Sequence, residues 1–289
     1  MTTAMRCVDL GHRYGRHWGV RHCDLEVPAG RVVALVGPNG SGKTTLMSMA
    51  AGLLPVTEGS VEVVGSVPAE RLDGIGFVAQ DAPLWPRLRV ADVLDIGCSM
   101  NRRFDTVMAA ERIQRLGIPP RARIGDLSGG ERAQVALTLV LAKHPELFLL
   151  DEPMANLDPL ARRAFLSSMF EACHEAGATV LYSSHAVAEL ERISDYLVVL
   201  RAGRLQIAGD VDELRGQHRV VSGPEGWTLG GGWNVISRRS MSSQTIALVR
   251  CDDERVLGPG LESSAPTFDE LVLGYLEDEP DRVPEEAVA

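Results

Sequence analysis

Residues 31–50 read RVVALVGPNGSGKTTLMSMA. An apolar, β-branched run ending in glycine reads as a buried strand, and a helix-forming stretch follows almost at once. The turn between them, GPNGSGKT at 37–44, fits the spacing G-x-x-x-x-G-K-[ST]. Gly37, Gly40 and Gly42, with Pro38, Asn39 and Ser41 between them, let successive backbone N–H groups curl around phosphate oxygens. The helix N-terminus adds partial positive charge at the same place. Lys43 is placed to reach the outer phosphates, Thr44 to ligate Mg²⁺, and Thr45 joins the binding residues one step along the helix. The stretch predicts a strand, a phosphate-binding loop and a helix, and with them an α/β fold.

The flanking sequence extends that pattern. Residues 56–67 (VTEGSVEVVGSV) read as a hairpin and GIGFVAQ at 74–80 as another buried strand. From about 90 to 125 the periodicity turns helical. ELFLLDEP at 146–153 is a strand running into two carboxylates, a helix ends at Gly177, and ATVLYSSH at 178–185 is the next strand. SDYLVVLRAGRLQIAGD closes the series as a hairpin about Ala202 and Gly203. Strand–helix alternation of this kind implies a mainly parallel sheet with helices on its faces. The texture changes near residue 215. Residues 215–276 read as a small α+β accessory module, whose last helix opens on the capping box Thr267/Glu270. Residues 277–289, EDEPDRVPEEAVA, read as an acidic, disordered tail.

Composition narrows the function. Of 289 residues 45% are hydrophobic, ordinary for a globular chain, and the formal charge of −10 argues against a nucleic-acid partner. The five cysteines are scattered and read as free thiols in a reducing compartment. His12, His17 and His22 recur at a spacing that suits neither one helix face nor one side of a strand, which argues against a metal site. The first residues lack the apolar core of a secretory signal, and no apolar run nears the ~18 residues of a membrane span. The expectation is a cytosolic protein, or one held at a membrane by another.

Two further stretches carry chemistry. Asp151 and Glu152 end an apolar strand, where Asp151 can hold Mg²⁺ through water and Glu152 can orient the attacking water. Residues 125–137 read GDLSGGERAQVAL. Ser128 and Glu131 form a capping box, yet Gly129 and Gly130 each cost up to about 1 kcal/mol against alanine in a helix. What they supply is bare backbone N–H at a positive helix end, a second anion site.

LSGGE followed by RAQVALTLVLA is similar to the signature motif of ABC-type ATPases. The resemblance spans residues 4–214, with motifs in the family's order. It implies a P-loop NTPase of ABC type: a mainly parallel sheet, an antiparallel β subdomain, a helical subdomain at about 90–135, and a domain over 1–214. In that family the signature faces the nucleotide held by the other subunit, so two chains pair head to tail around two ATP. Carried over by position, Tyr14 stacks on adenine and Gln80 contacts Mg²⁺ or its water. Asp158 lies at the subunit contact and His185 touches the γ-phosphate. Ala155 departs from the serine that is common there, and Glu131 from glutamine. The resemblance implies an ATPase on the cytoplasmic face of a membrane, paired with itself or a paralogue. It would drive a separate polytopic permease docked near QDAPLWPRLR (80–89), with Leu84 and Trp85 in an apolar patch. TFDELVLGYL resembles the last helix of efflux-type subunits, which implies export. A soluble ABC-type ATPase acting in translation, DNA repair or cofactor assembly is the alternative.

Overall fold

The computed structural model describes residues 2–80, 83–154, 157–184, 187–225, 227, 233–241, 244–251 and 260–277. Strands β1 (Thr3–Tyr14) and β2 (His17–Pro28) form a long antiparallel ribbon. β3 (Val32–Val36) then runs into α1 (Lys43–Ala50), and β4 (Glu58–Val63) returns to the free edge of β1. The result is an antiparallel sheet of order β2-β1-β4. The hairpin expected over 56–67 does not form. Its first half pairs with β1, and only a Val63–Ser66 bridge closes the turn beyond it. The reason is burial: on β1, Val61 and Val63 pack with Met5 and Cys7, a gain that a two-stranded hairpin cannot offer.

After β5 (Ile75–Val78) come three helices, α2 (Val90–Met100), α3 (Thr106–Arg115) and α4 (Gly129–Leu141). They share a core of Val90, Val93, Ile113, Ile124 and Val135. α4 is apolar on two sides, since Ala133, Leu137 and Leu141 enter the main core. The buried Arg112 fastens α3 to α4, donating from Nε to Thr138 Oγ1 (3.1 Å) and from Nη2 to Gln134 Oε1 (2.8 Å). Burial and the nearby Arg115 hold its pKa below the usual guanidinium value.

β6 (Leu147–Asp151), α5 (Pro159–Ala176), β7 (Thr179–Ser183), α6 (Val187–Glu191), β8 (Tyr196–Arg201) and β9 (Arg204–Asp210) complete the central sheet. Its order is β5-β6-β7-β3-β8-β9, all parallel except β9. Continuous apolar strands suit a sheet covered on both faces. Val33, Leu35, Leu147, Leu149, Leu181 and Val198 face the antiparallel sheet and α1, whereas Ala34, Val36, Phe148, Leu150, Val180 and Val199 face the core that includes α4 and α5. Period-two alternation sorts the two sets. β3 lies between β7 and β8, neither adjacent in sequence, so the loop after β3 opens at a switch point of the strand order.

α7 (Val211–Gln217), β10 (His218–Pro224), β11 (Asn234–Met241), β12 (Gln244–Arg250), β13 (Glu262–Ser264) and α8 (Phe268–Leu276) follow. Their strands make a second antiparallel sheet, β11-β12-β10-β13. Thr267 Oγ1 and the Glu270 carboxylate form the capping box read from the sequence. Phe268, Leu271 and Val272 are fully buried and share one apolar core with Leu197, Val199 and Leu214. The buried His218 bridges Leu214 O through Nδ1 and the Tyr275 hydroxyl through Nε2, each at 2.7 Å. At the end of α8, Arg201 Nη1 donates to Glu277 O (2.5 Å), and Arg239 pairs with the Glu277 carboxylate (3.1 Å). The rest of the proposed tail, 278–289, lies outside the described residues.

Candidate functional site

The loop after β3 has the shape its glycines predict. Gly40 and Gly42 stand at φ 80° and 102°, backbone that side chains with a Cβ rarely adopt. Gly37 is needed for closeness instead, because an added Cβ would lie 2.3 Å from Leu200 O and 2.4 Å from Ser41 Oγ. The loop is clasped from outside by the β8–β9 turn, where Ala202 and Gly203 are both left-handed. Gly203 N donates to Ser41 O (3.0 Å), and Gly203 O accepts from Arg21 N (2.8 Å). Lys43 is buried and donates to the loop carbonyls of Gly37 (2.7 Å) and Pro38 (3.3 Å). Its ammonium sits 3.7 Å from Glu152 Oε1.

One open cleft of about 830 Å³ gathers most of the sequence-predicted residues. Tyr14, Asn39, Gly40, Ser41, Gly42, Lys43, Thr44, Thr45, Gln80 and Glu152 line it. Tyr14 is half exposed and seated by its neighbours. His12 meets its ring edge-on at 4.5 Å, its hydroxyl lies 3.4 Å from Thr45 Oγ1, and a Cβ at Gly19 would stand 2.8 Å from its Cε2. An aromatic ring, a lysine and exposed loop amides along one cleft match a base, a charged phosphate chain and a helix N-terminus. Ser41 Oγ is buried with no partner among the described residues, a polar atom left within the loop that would surround phosphates.

Asp151 and Glu152 end β6 beside this cleft. Asp151 is buried, and Glu152 has φ 45°, a left-handed conformation that costs a residue with a Cβ roughly 1–2 kcal/mol. The strained turn is held by Ser183 on β7, which pairs with Asp151 in the parallel ladder. Ser183 Oγ donates to Asp151 Oδ1 (2.9 Å) and accepts from Glu152 N (3.0 Å), and Ser183 O is 3.2 Å from the same N–H. Neither Ser183 nor Gly19 stands out in the sequence. The only hint of Ser183 is a hydroxyl closing an apolar strand, and naming its partner requires the order of the sheet.

Thr44, Gln80 and Asp151 offer oxygen donors only, the hard-ligand chemistry that Mg²⁺ prefers. Among the described residues no group of three histidines, cysteines or carboxylates is placed to hold a metal by itself.

The second glycine turn lies apart from this cleft. Ser128 Oγ accepts from Glu131 N (3.2 Å), while Glu131 Oε2 accepts from Ser128 N (2.8 Å). That second bond holds the Glu131 carboxyl below its usual pKa. A Cβ on Gly130 would stand 2.9 Å from Ala161 Cβ, in the first turn of α5. Asp158 caps that helix, its Oδ1 accepting from Leu160 N and Ala161 N at 2.9 Å each. The structure thus brings Ser128–Glu131 and Asp158 to neighbouring helix starts, neither of which lines the cleft. Leu84 packs against the core of the helical subdomain, while Trp85 is 60% exposed, so of the expected patch Trp85 alone stands out. His185 and Ala155 lie outside the described residues.

Comparison with known proteins gives consistent results. The ABC transporter family profile matches residues 20–155, and an AAA domain profile matches 124–191. An aliphatic sulfonates import ATP-binding protein, SsuB of Ralstonia nicotianae, is 35% identical over 75% of this chain and 76% of its own. The Fe(3+) ions import ATP-binding protein FbpC of Streptomyces avermitilis is 36% identical over 68% of this chain. The molybdenum import ATP-binding protein ModC of Mesorhizobium japonicum is 37% identical over 72%. The chain spans 59% and 58% of the length of these last two. A solved structure described as the ATP binding subunit of an ABC transporter superposes with a TM-score of 0.66, at 26% identity, over 74% of this chain and 93% of that one.

Proposed function

The chain belongs to the ABC transporter family of ATP-binding proteins, and on that footing we propose that it binds and hydrolyses MgATP to drive a separate membrane permease. The observation that carries the reading is the single cleft joining Tyr14, the 37–45 loop, Gln80 and Glu152. Adenine stacks on Tyr14, and the phosphates take the loop amides and Lys43. Thr44, Gln80 and Asp151 are the residues that would hold Mg²⁺, which would supply charge neutralisation for the phosphate oxygens. Glu152 orients a water for in-line attack at the γ-phosphorus and takes up its proton as the bond to the β-bridging oxygen breaks. ADP and inorganic phosphate leave. Lys43 and His185 offset the charge of the transferring phosphoryl group.

Two copies act together. Framed by the Ser128/Glu131 capping box, Gly129 and Gly130 present backbone N–H groups on a helix start away from the chain's own cleft, which favours the Ser128–Glu131 turn closing on a partner's γ-phosphate. Asp158, on the adjoining helix start, belongs to the same contact. The protein would sit at the cytoplasmic face of the membrane, engaging its permease near Trp85. No helix among the described residues is long and apolar enough to cross a membrane, which fits spans supplied by another chain.

Export finds no support. The three curated relatives named above are import proteins, and α8, whose sequence prompted the reading, spends its apolar face on the protein's own core. The function proposed is a transport ATPase whose cargo and direction are set by its permease. The test is light scattering on Glu152→Gln. A monomer without nucleotide that becomes a dimer with MgATP is expected; a monomer in both conditions would sink the composite site.

A further inference from the structure

Asp151 and Glu152 have different tasks but one common support. The Ser183 side chain is fully buried at the end of β7. A buried hydroxyl persists where its hydrogen bonds are made, and this one makes two, to adjacent residues of a single turn. It donates to Asp151 Oδ1 at 2.9 Å and accepts from the Glu152 amide at 3.0 Å. The second bond acts on the residue with the left-handed backbone, whose carboxylate lies 3.7 Å from Lys43 Nζ.

We propose that Ser183 is the positioning residue of this carboxylate pair. Its proton ties down Asp151 Oδ1, leaving Oδ2 to face a cation-bound water. Its lone pair fixes the Glu152 amide, which keeps the Glu152 side chain directed at the phosphate end of the cleft beside Lys43. One hydroxyl thereby sets the metal-side and water-side carboxylates in register. Ser183 touches neither substrate nor metal; it works through its two neighbours. The inference rests on the ATPase reading above and adds a residue to it.

Threonine and valine have nearly the same shape and differ in the hydroxyl. The experiment compares Ser183→Thr with Ser183→Val, and the native protein with Ser183→Ala, so a valine variant that misfolds leaves the second pair to decide. Three quantities are measured: ATP binding without metal, Mn²⁺ affinity of the ATP complex by electron paramagnetic resonance, and turnover. Partners one shell out from a metal commonly contribute 10–100-fold. Valine and alanine are expected to weaken Mn²⁺ and slow turnover by about 10-fold or more. Metal-free ATP binding stays within about twofold, and threonine stays near the native protein. Equal Mn²⁺ affinity and turnover within each pair overturns the proposal, as does a parallel loss of metal-free ATP binding. A native protein that neither binds nor hydrolyses ATP overturns the ATPase reading itself, and this inference with it.

Discussion

Lys43 and Glu152 form a nearly buried pair, 5% and 11% exposed at the side chain, so substitution at either alters a water-poor site. Glu152→Gln keeps the shape and removes the proposed base. Turnover should fall by about 100-fold or more while ATP still binds, since a positioned general base contributes roughly 10²–10⁴; a stopped-flow hydrolysis assay beside a binding titration separates the two. Tyr14 makes a different kind of contribution. Stacking of a base on an aromatic ring is worth about 1–3 kcal/mol, so Tyr14→Ala should weaken ATP by roughly 10-fold while leaving inorganic triphosphate unaffected. Gly19→Ala should act in the same direction by pushing the ring aside, and calorimetry with both ligands would show it. The residues legible from sequence are those whose constraint is local: the glycine spacing at 37–42 encodes its own backbone. Ser183 and Gly19 act on partners 32 and 5 residues away across strands, where one sequence carries no signal of the meeting.

α4 is fastened at its start and braced along its length. Losing an N-cap side chain costs about 1 kcal/mol, so Ser128→Ala should lower the unfolding free energy by about that amount in a denaturant titration. The box also carries a pH dependence whose sign follows from the hydrogen bond. Glu131 has its pKa lowered by Ser128, so its contribution is present above the ordinary carboxylate range and is lost as pH falls through the depressed value. The donor is chiefly the Ser128 backbone N–H, which Ser128→Ala keeps, so acid should narrow the gap between native protein and Glu131→Ala instead. α8 rests on burial instead. Phe268→Ala should cost about 3–5 kcal/mol, measured by thermal unfolding, because the ring is fully enclosed in the main core. The helices and parallel strands were readable because their apolar periods are long. β4 was not, since its partner β1 lies some fifty residues upstream and the local pattern suits a hairpin equally well.

For the molecule as a whole, division of labour is the main point. One chain presents a nucleotide cleft and, separately, a glycine-fronted helix start. Mixing Lys43→Ala with Ser128→Arg should restore nucleotide trapping that neither variant shows alone, because each supplies the half the other lacks; absence of any recovery would mean that one chain builds the whole site. A second division runs along the chain. Arg201 grips the carbonyl of Glu277 at the end of α8, and two residues further on Gly203 grips Ser41 of the phosphate loop. That makes a short load path from the C-terminal end of α8 to the nucleotide. A tether pulled at residue 277 would deliver its tension to the loop through β8 before the central sheet yields, so in an optical trap modest force should speed nucleotide release without unfolding the protein.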